Sequence, residues 1–212
     1  MYALTLLKLI VLVGLTFISN ITTAQTGNNS SVLNPNLIGE SALAALPGLN
    51  VELAATIIAA RPLSKNLELD ELLGESLNDD GKARLRAVLF LPINLNSASK
   101  EEVLLVPSIS PKMAHEFDEY KPYTTLEQFR REIGKYVDEA EVARFEQYVF
   151  VPMDLNSASS EAFSTIPGMS RRMAHEFEEY RPYASIEQFR REIGKYVDEN
   201  EVSRLERYVF IE

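Results

Sequence analysis

Two histidines stand in this chain, and each is followed by a glutamate: His115-Glu116 and His175-Glu176. A His-Glu pair on a helix suggests a zinc hydrolase, but that chemistry needs a second histidine four residues after the first to hold the metal. Glu119 and Glu179 occupy those places instead. The chain has no cysteine, which excludes disulfides, thiolate metal sites and a cysteine nucleophile. It has no Ser/His/Asp order and no glycine-rich nucleotide loop, and nothing marks a catalytic pair among its 31 acidic residues. The expectation is a protein that is not an enzyme and uses no metal, cofactor or small-molecule substrate.

The remaining candidates are turns of small residues that lead into cations. Pro167-Gly168-Met169-Ser170 precedes Arg171 and Arg172, and Pro107-Ser108-Ile109-Ser110 precedes Pro111 and Lys112. Pro47-Gly48-Leu49-Asn50 precedes Val51 and Glu52, so it has no cation and a nearby carboxylate. A second kind of turn holds Gly134-Lys135-Tyr136 and Gly194-Lys195-Tyr196, just after Arg130-Arg131 and Arg190-Arg191. Where such a turn opens a helix, the free N–H groups and partial positive charge of the helix N-terminus suit an anion.

These turns recur because the chain repeats. Leu95-Asn96-Ser97-Ala98-Ser99 returns as Leu155-Asn156-Ser157-Ala158-Ser159, and Glu127 to Glu139 returns unchanged as Glu187 to Glu199. The period is about 60 residues without a gap, a strong repeat signal. A more divergent copy precedes these two. Asn34 and Asn36 stand one period before Asn94 and Asn96, Arg61-Pro62 before Lys121-Pro122 and Arg181-Pro182, and Phe90 before Phe150 and Phe210. The units are 33–92, 93–152 and 153–212, and domains this small are marginal alone, so neighbours are expected to pack together.

Within the third unit, Asn156, Ser157 and Ser159 are caps for a helix from about Ala158 to Ile166, stopped before Pro167. A second helix from about Arg171 to Tyr180 puts Met173, Ala174, Phe177 and Tyr180 on one face. Ser185 caps a third helix carrying Ile186, Phe189 and Ile193. Asp198 with Glu201 is a capping box for a fourth that buries Val202, Leu205, Tyr208 and Val209. No strand pattern competes, so the expected class is all-α, with about four short helices per unit.

The run Asn-x-Asn-Ser-Ala-Ser, an apolar helix, Pro-Gly-Met-Ser and a second apolar helix resembles the helix-hairpin-helix superfamily. It looks most like the DNA-receptor domain of the bacterial competence (DNA-uptake) protein family, here in three tandem copies. The resemblance implies that hairpin backbone N–H groups hold a DNA phosphate, reading backbone rather than base sequence. Carried onto this sequence, the contacting residues are Gly168, Met169, Ser170, Arg171 and Arg172, with Ser108, Ile109, Ser110 and Lys112. A further hairpin is implied at Gly134, Lys135, Gly194 and Lys195. The family usually has glycine where Asn50, Ser110 and Ser170 stand, and the second hairpin has lost its first glycine to Ser108. A photosynthetic extrinsic subunit of similar fold binds proteins, so the fold alone does not name the partner.

Two further features bear on the partner. Leu4 to Ile18 is apolar apart from Lys8 and leads through Ser19–Thr23 to Ala24-Gln25, which reads as a secretory signal peptide (1–24) cleaved after Ala24. A polar linker, 25–32, follows. Export to a periplasm or the outside is expected, with an uncleaved membrane anchor as the alternative. The charge is −10, with Lys+Arg 21 against Asp+Glu 31. By unit it is about −3, −4 and −4. An acidic chain does not steer toward polyanions. Carboxylates on the helices after the hairpins, Glu116, Asp118, Glu119, Glu176, Glu178 and Glu179, would repel DNA if they lay within a Debye length of ~8 Å. The expected function is sequence-nonspecific binding of the DNA backbone through the hairpins, in DNA uptake or handling, with interaction with another exported protein as the alternative.

Overall fold

The computed structural model describes residues 31–74 and 76–212. The signal segment and most of the polar linker lie outside the described residues. Val32, at the linker's end, is buried in the core of the second unit.

Among the described residues the chain is mostly helical, in three sets of four short helices. The first set is α1 (Glu40–Ala44), α2 (Val51–Ala59), α3 (Asn66–Leu73) and α4 (Asp79–Arg86). The second is α5 (Lys100–Val103), α6 (Pro111–Glu119), α7 (Leu126–Ile133) and α8 (Glu139–Glu146), and the third α9 (Ser160–Phe163), α10 (Arg171–Glu179), α11 (Ile186–Ile193) and α12 (Glu199–Glu206). Capping sets these limits. Ser159, Ser170, Ser185 and Asp198 each accept a bond from the amide three residues on. The first helix of the third set is shorter than the sequence suggested, because after Ser164 the backbone tightens to bonds three residues back, Thr165 N–H to Ala162 C=O and Ile166 N–H to Phe163 C=O, before Pro167. The Asp198 capping box is only half formed, since the Glu201 carboxylate reaches Arg204 instead.

Short strands also occur, which the sequence pattern did not announce. β1 (Ile93–Asn94) pairs in parallel with β2 (Val149–Phe150), and β3 (Met153–Asp154) with β4 (Val209–Phe210). A single parallel bridge joins Leu33 to Leu89 at the equivalent place. Two residues are too few to show an alternating pattern. Each 60-residue stretch is thus tied head to tail by its own backbone, through Ile93 N–H to Tyr148 C=O (2.9 Å) and Met153 N–H to Tyr208 C=O (2.8 Å).

The asparagine motif is explained by the same closure. Asn96 donates to the carbonyl of Tyr123 (2.8 Å) and accepts from its amide (2.7 Å), and Asn156 does the same at Tyr183 and Asn36 at Leu63. Asn34 and Asn94 each accept the amide two residues on, fixing the turn. The cation before each proline completes the clasp. Arg61, Lys121 and Arg181 donate to the carbonyls of Ile38, Ala98 and Ala158, and their bonds to proline are cis.

Among the described residues there are three apolar clusters, one per unit. They are joined by trespass: Phe90, the tail of the first unit, is buried in the second cluster, and Phe150, the tail of the second, in the third. Phe90 meets Tyr148 edge-on at 5.1 Å, and Phe150 meets Tyr208 at 4.5 Å. At the first joint a buried Asn66 also bonds both the amide and the carbonyl of Leu91 and the carboxylate of Glu102.

Candidate functional site

The hairpin residues singled out by the sequence sit at the starts of α6 and α10. Each hairpin turns on one left-handed residue: Gly48 at φ +85°, Ser108 at +58° and Gly168 at +76°. Loss of glycine at 108 therefore leaves the turn intact but places a serine where L-residues are strained. Ser110 and Ser170, standing where the resemblance calls for glycine, are N-caps whose hydroxyls accept from the amides of Met113 and Met173 at 3.1 Å. One of the amides at each helix start is thereby already satisfied; in α10 the Arg171 and Arg172 amides have no partner within the helix, whereas α6 opens on Pro111, which has no N–H, and leaves only the Lys112 amide. Ile109 and Met169 are half-buried and packed on the cores, and their amides close the turns onto Val106 and Ile166.

The hairpin backbone is also held from behind. Arg144 and Arg204, on α8 and α12, donate to the carbonyls of Pro107 and Pro167 and pair with Glu141 and Glu201 on their own helices. The pairing holds the Glu141 carboxyl below its usual range and raises the Arg144 guanidinium. At Gly168 an added Cβ would lie 3.0 Å from Leu37 of the first unit and 3.4 Å from the Arg204 guanidinium. The turn of unit 3 thus lies against unit 1 here, and a side chain at 168 would have to displace the Leu37 methyls.

The cations divide into two groups. Arg172 is exposed, lies 3.8 Å from Glu176 and stacks over Tyr196. Arg171 and Lys112 are exposed and have no ion pair or side-chain hydrogen bond among the described residues. Of the carboxylates feared near the hairpins, Glu176 is buried, Glu178 accepts from the Ser160 amide at the start of α9, and Asp118 pairs with Lys121 at 2.8 Å.

The second turns are built differently. Gly134 and Gly194 are right-handed, at φ −61°, and each serves as the C-cap of the preceding helix. Lys135 pairs with Glu132 and Lys195 with Glu192, and each ammonium lies over a tyrosine ring, Tyr120 at 4.9 Å and Tyr180 at 4.7 Å. Arg131 and Arg191 also pair with Glu132 and Glu192, and hydrogen bonds from these cations keep both carboxyls below their usual range. Tyr120 and Tyr136 share a hydroxyl contact of 2.8 Å, as do Tyr180 and Tyr196. Those contacts, with Glu116 and Glu176 close by, push the Tyr136 and Tyr196 hydroxyls above the usual tyrosine value. Arg130 and Arg190 reach across to Glu146 and Glu206. The first unit uses the same bridge with its ends exchanged: Asp70 at the place of Arg130 and Arg86 at that of Glu146, 2.8 Å apart.

The two histidines form only loose surface pairs, His115 with Glu119 (3.9 Å) and His175 with Glu179 (4.0 Å). Among the described residues no group of three His, Asp or Glu could hold a metal ion, and no helix is long and apolar enough to cross a membrane.

What the sequence did not reveal is the uneven exposure of the unit ends. Phe210 is 39% exposed although its counterparts Phe90 and Phe150 are buried, and Leu33 and Val88 are exposed where their counterparts are buried. Phe210 lines an open groove between units 2 and 3 with Pro122, Tyr123, Met153 and Ala162. The repeat alignment pointed to position 210; only its lack of a cover needed the structure. Comparison of the chain with protein-family models, with curated proteins and with solved structures gives no match.

Proposed function

We propose that this chain is an exported protein of three tandem helix-hairpin-helix units that works by binding other proteins, with no chemistry of its own. One contrast carries the reading. The small residues and most of the cations that a phosphate-binding hairpin would use are engaged in the chain's own packing, while apolar side chains at the two ends of the repeat array are left uncovered. Gly168 makes room for Leu37, Ser110 and Ser170 cap their own helices, and Lys135 and Lys195 are paired. Phe210, Leu33 and Val88 are large, apolar and exposed. Uncovered apolar surface is what a protein partner removes from water.

A second reading, sequence-nonspecific binding of a DNA backbone as in DNA uptake, is favoured by one observation. Among the described residues Arg171 and Lys112 are cations without an ion pair, at the first turn of helices that follow left-handed hairpins, where helix-start amides and an exposed charge can meet a phosphate.

The two readings separate by photo-crosslinking in the producing cell, with a photoreactive residue at position 210 or at position 171. The protein-binding reading expects protein adducts from 210 and none from 171. Adducts to nucleic acid from 171 would replace it with the DNA reading. So would micromolar duplex binding that weakens steeply with salt and is lost on Arg171→Glu.

A further inference from the structure

The repeat joints point to what covers the exposed ends. At the first joint Phe90 is 1% exposed, buried against the second unit by Ile93 (2%) and Tyr148 (5%). At the second joint Phe150 is 1% exposed, buried by Met153 (2%) and Tyr208 (0%). Each joint is a plug, the tail phenylalanine of one unit, and a seat, formed by the first and fifty-sixth residues of the next.

Among the described residues, one plug and one seat are left uncovered. Phe210 is a plug with no seat, at 39% exposure. Leu33 and Val88 occupy the seat positions of the first unit and are 42% and 36% exposed. The residue one period before Phe90 is Ser30, so the sequence supplies no phenylalanine of its own there. The backbone frame of this seat is nevertheless in place, because Leu33 and Leu89 are bridged as Ile93 is to Val149.

We infer that the occupant of both surfaces is a second copy of this chain, joined head to tail, with Phe210 of one copy set between Leu33 and Val88 of the next. This rests on the protein-binding reading above and names its partner. The contact is heterologous, one surface meeting a different one, so it either closes into a ring or extends. It continues the geometry by which the chain already joins its own units, and it covers on each copy the apolar side chains that the internal joints bury.

The test uses chain expressed from its full reading frame and purified after whatever processing occurs. Sedimentation velocity would be run from about 1 to about 200 µM, a span that detects a micromolar to submillimolar contact. The wild type is expected to gain mass with concentration. Phe210→Asp and Val88→Asp, each checked by circular dichroism to be folded, are expected to weaken association at least tenfold, roughly the effect of a charge in an apolar contact. Mixed together, the two variants are expected to form a species of two chains and nothing larger, because one good plug and one good seat remain. Leu33→Asp provides an independent seat variant if Val88→Asp does not fold.

A wild type that stays monomeric throughout overturns the inference. So does association that survives Phe210→Asp, or association of the wild type that the mixture fails to restore. Protein adducts at position 210 from other proteins, with a monomeric pure chain, would sink the second-copy inference alone and leave the protein-binding reading standing.

Discussion

Truncating Phe150 to alanine tests the joint between units directly, because the same residue type at the same repeat position serves as its own control. The Phe150 ring is buried, lies 4.5 Å from Tyr208 and is covered by the Arg207 guanidinium at 5.8 Å. Removing a fully buried phenylalanine loses about 1.5–3 kcal/mol of transfer energy. The cavity and the lost ring pair raise this to about 3–5 kcal/mol. Phe210→Ala removes the same atoms from a ring that is 39% exposed, so it should cost under about 1.5 kcal/mol. The assay is guanidinium unfolding followed by circular dichroism, at a concentration of about 1 µM so that chain association does not add to apparent stability. Phe90→Ala should behave like Phe150→Ala. Equal losses at 150 and 210, or a loss below about 1 kcal/mol at 150, would refute the idea that tail phenylalanines couple the units.

Other expectations follow from single residues. Ser108→Gly should stabilise the chain by about 0.5–1 kcal/mol in the same unfolding assay, because Ser108 holds φ +58° and glycine adopts it freely. Asn66→Ala should cost about 2–4 kcal/mol, since it strips partners from both backbone groups of Leu91 and from the buried Glu102 carboxylate. Asp70→Arg with Arg86→Glu, which gives the first unit the bridge polarity of the other two, should recover stability lost by either change alone; a double-mutant cycle reading no coupling would argue against the bridge. The paired carboxyls of Glu132, Glu141 and Glu192 lie below their ordinary range, so their contribution is present at neutral pH and is lost as pH falls through their folded values. Thermal midpoints should therefore be level between about pH 5 and 7 and decline below about pH 4, and salt should shrink that dependence.

Much of the candidate site was legible as position but not as role. The left-handed turn could be read from Pro-Gly at 47–48 and 167–168, and its persistence at Ser108 could not, because a serine gives no local signal of positive φ. The glycine at 168 and the serine at 170 looked like a surface for phosphate. In the fold, one makes space for Leu37, more than a hundred residues earlier in the chain, and the other caps its own helix. The cations before the prolines and the paired asparagines served in the sequence to align the repeats, and in the fold they are backbone clasps. The glutamates three residues before Lys135 and Lys195 were visible as helical neighbours, so that ion pairing was readable from spacing alone.

By itself the sequence determined the period, four short helices per unit and, in the third unit, most of their starts. Those are local matters: a capping side chain three residues from its amide, an apolar face at helical spacing, a proline that ends a turn. Tertiary structure alone decided which equivalent residues stay equivalent. Phe90, Phe150 and Phe210 are one letter at one place in the repeat, yet the first two are buried against the units that follow them and the third is 39% exposed. Burial depends on surfaces brought together from distant parts of the chain, and a periodic sequence has no local mark for which copy of a residue is covered.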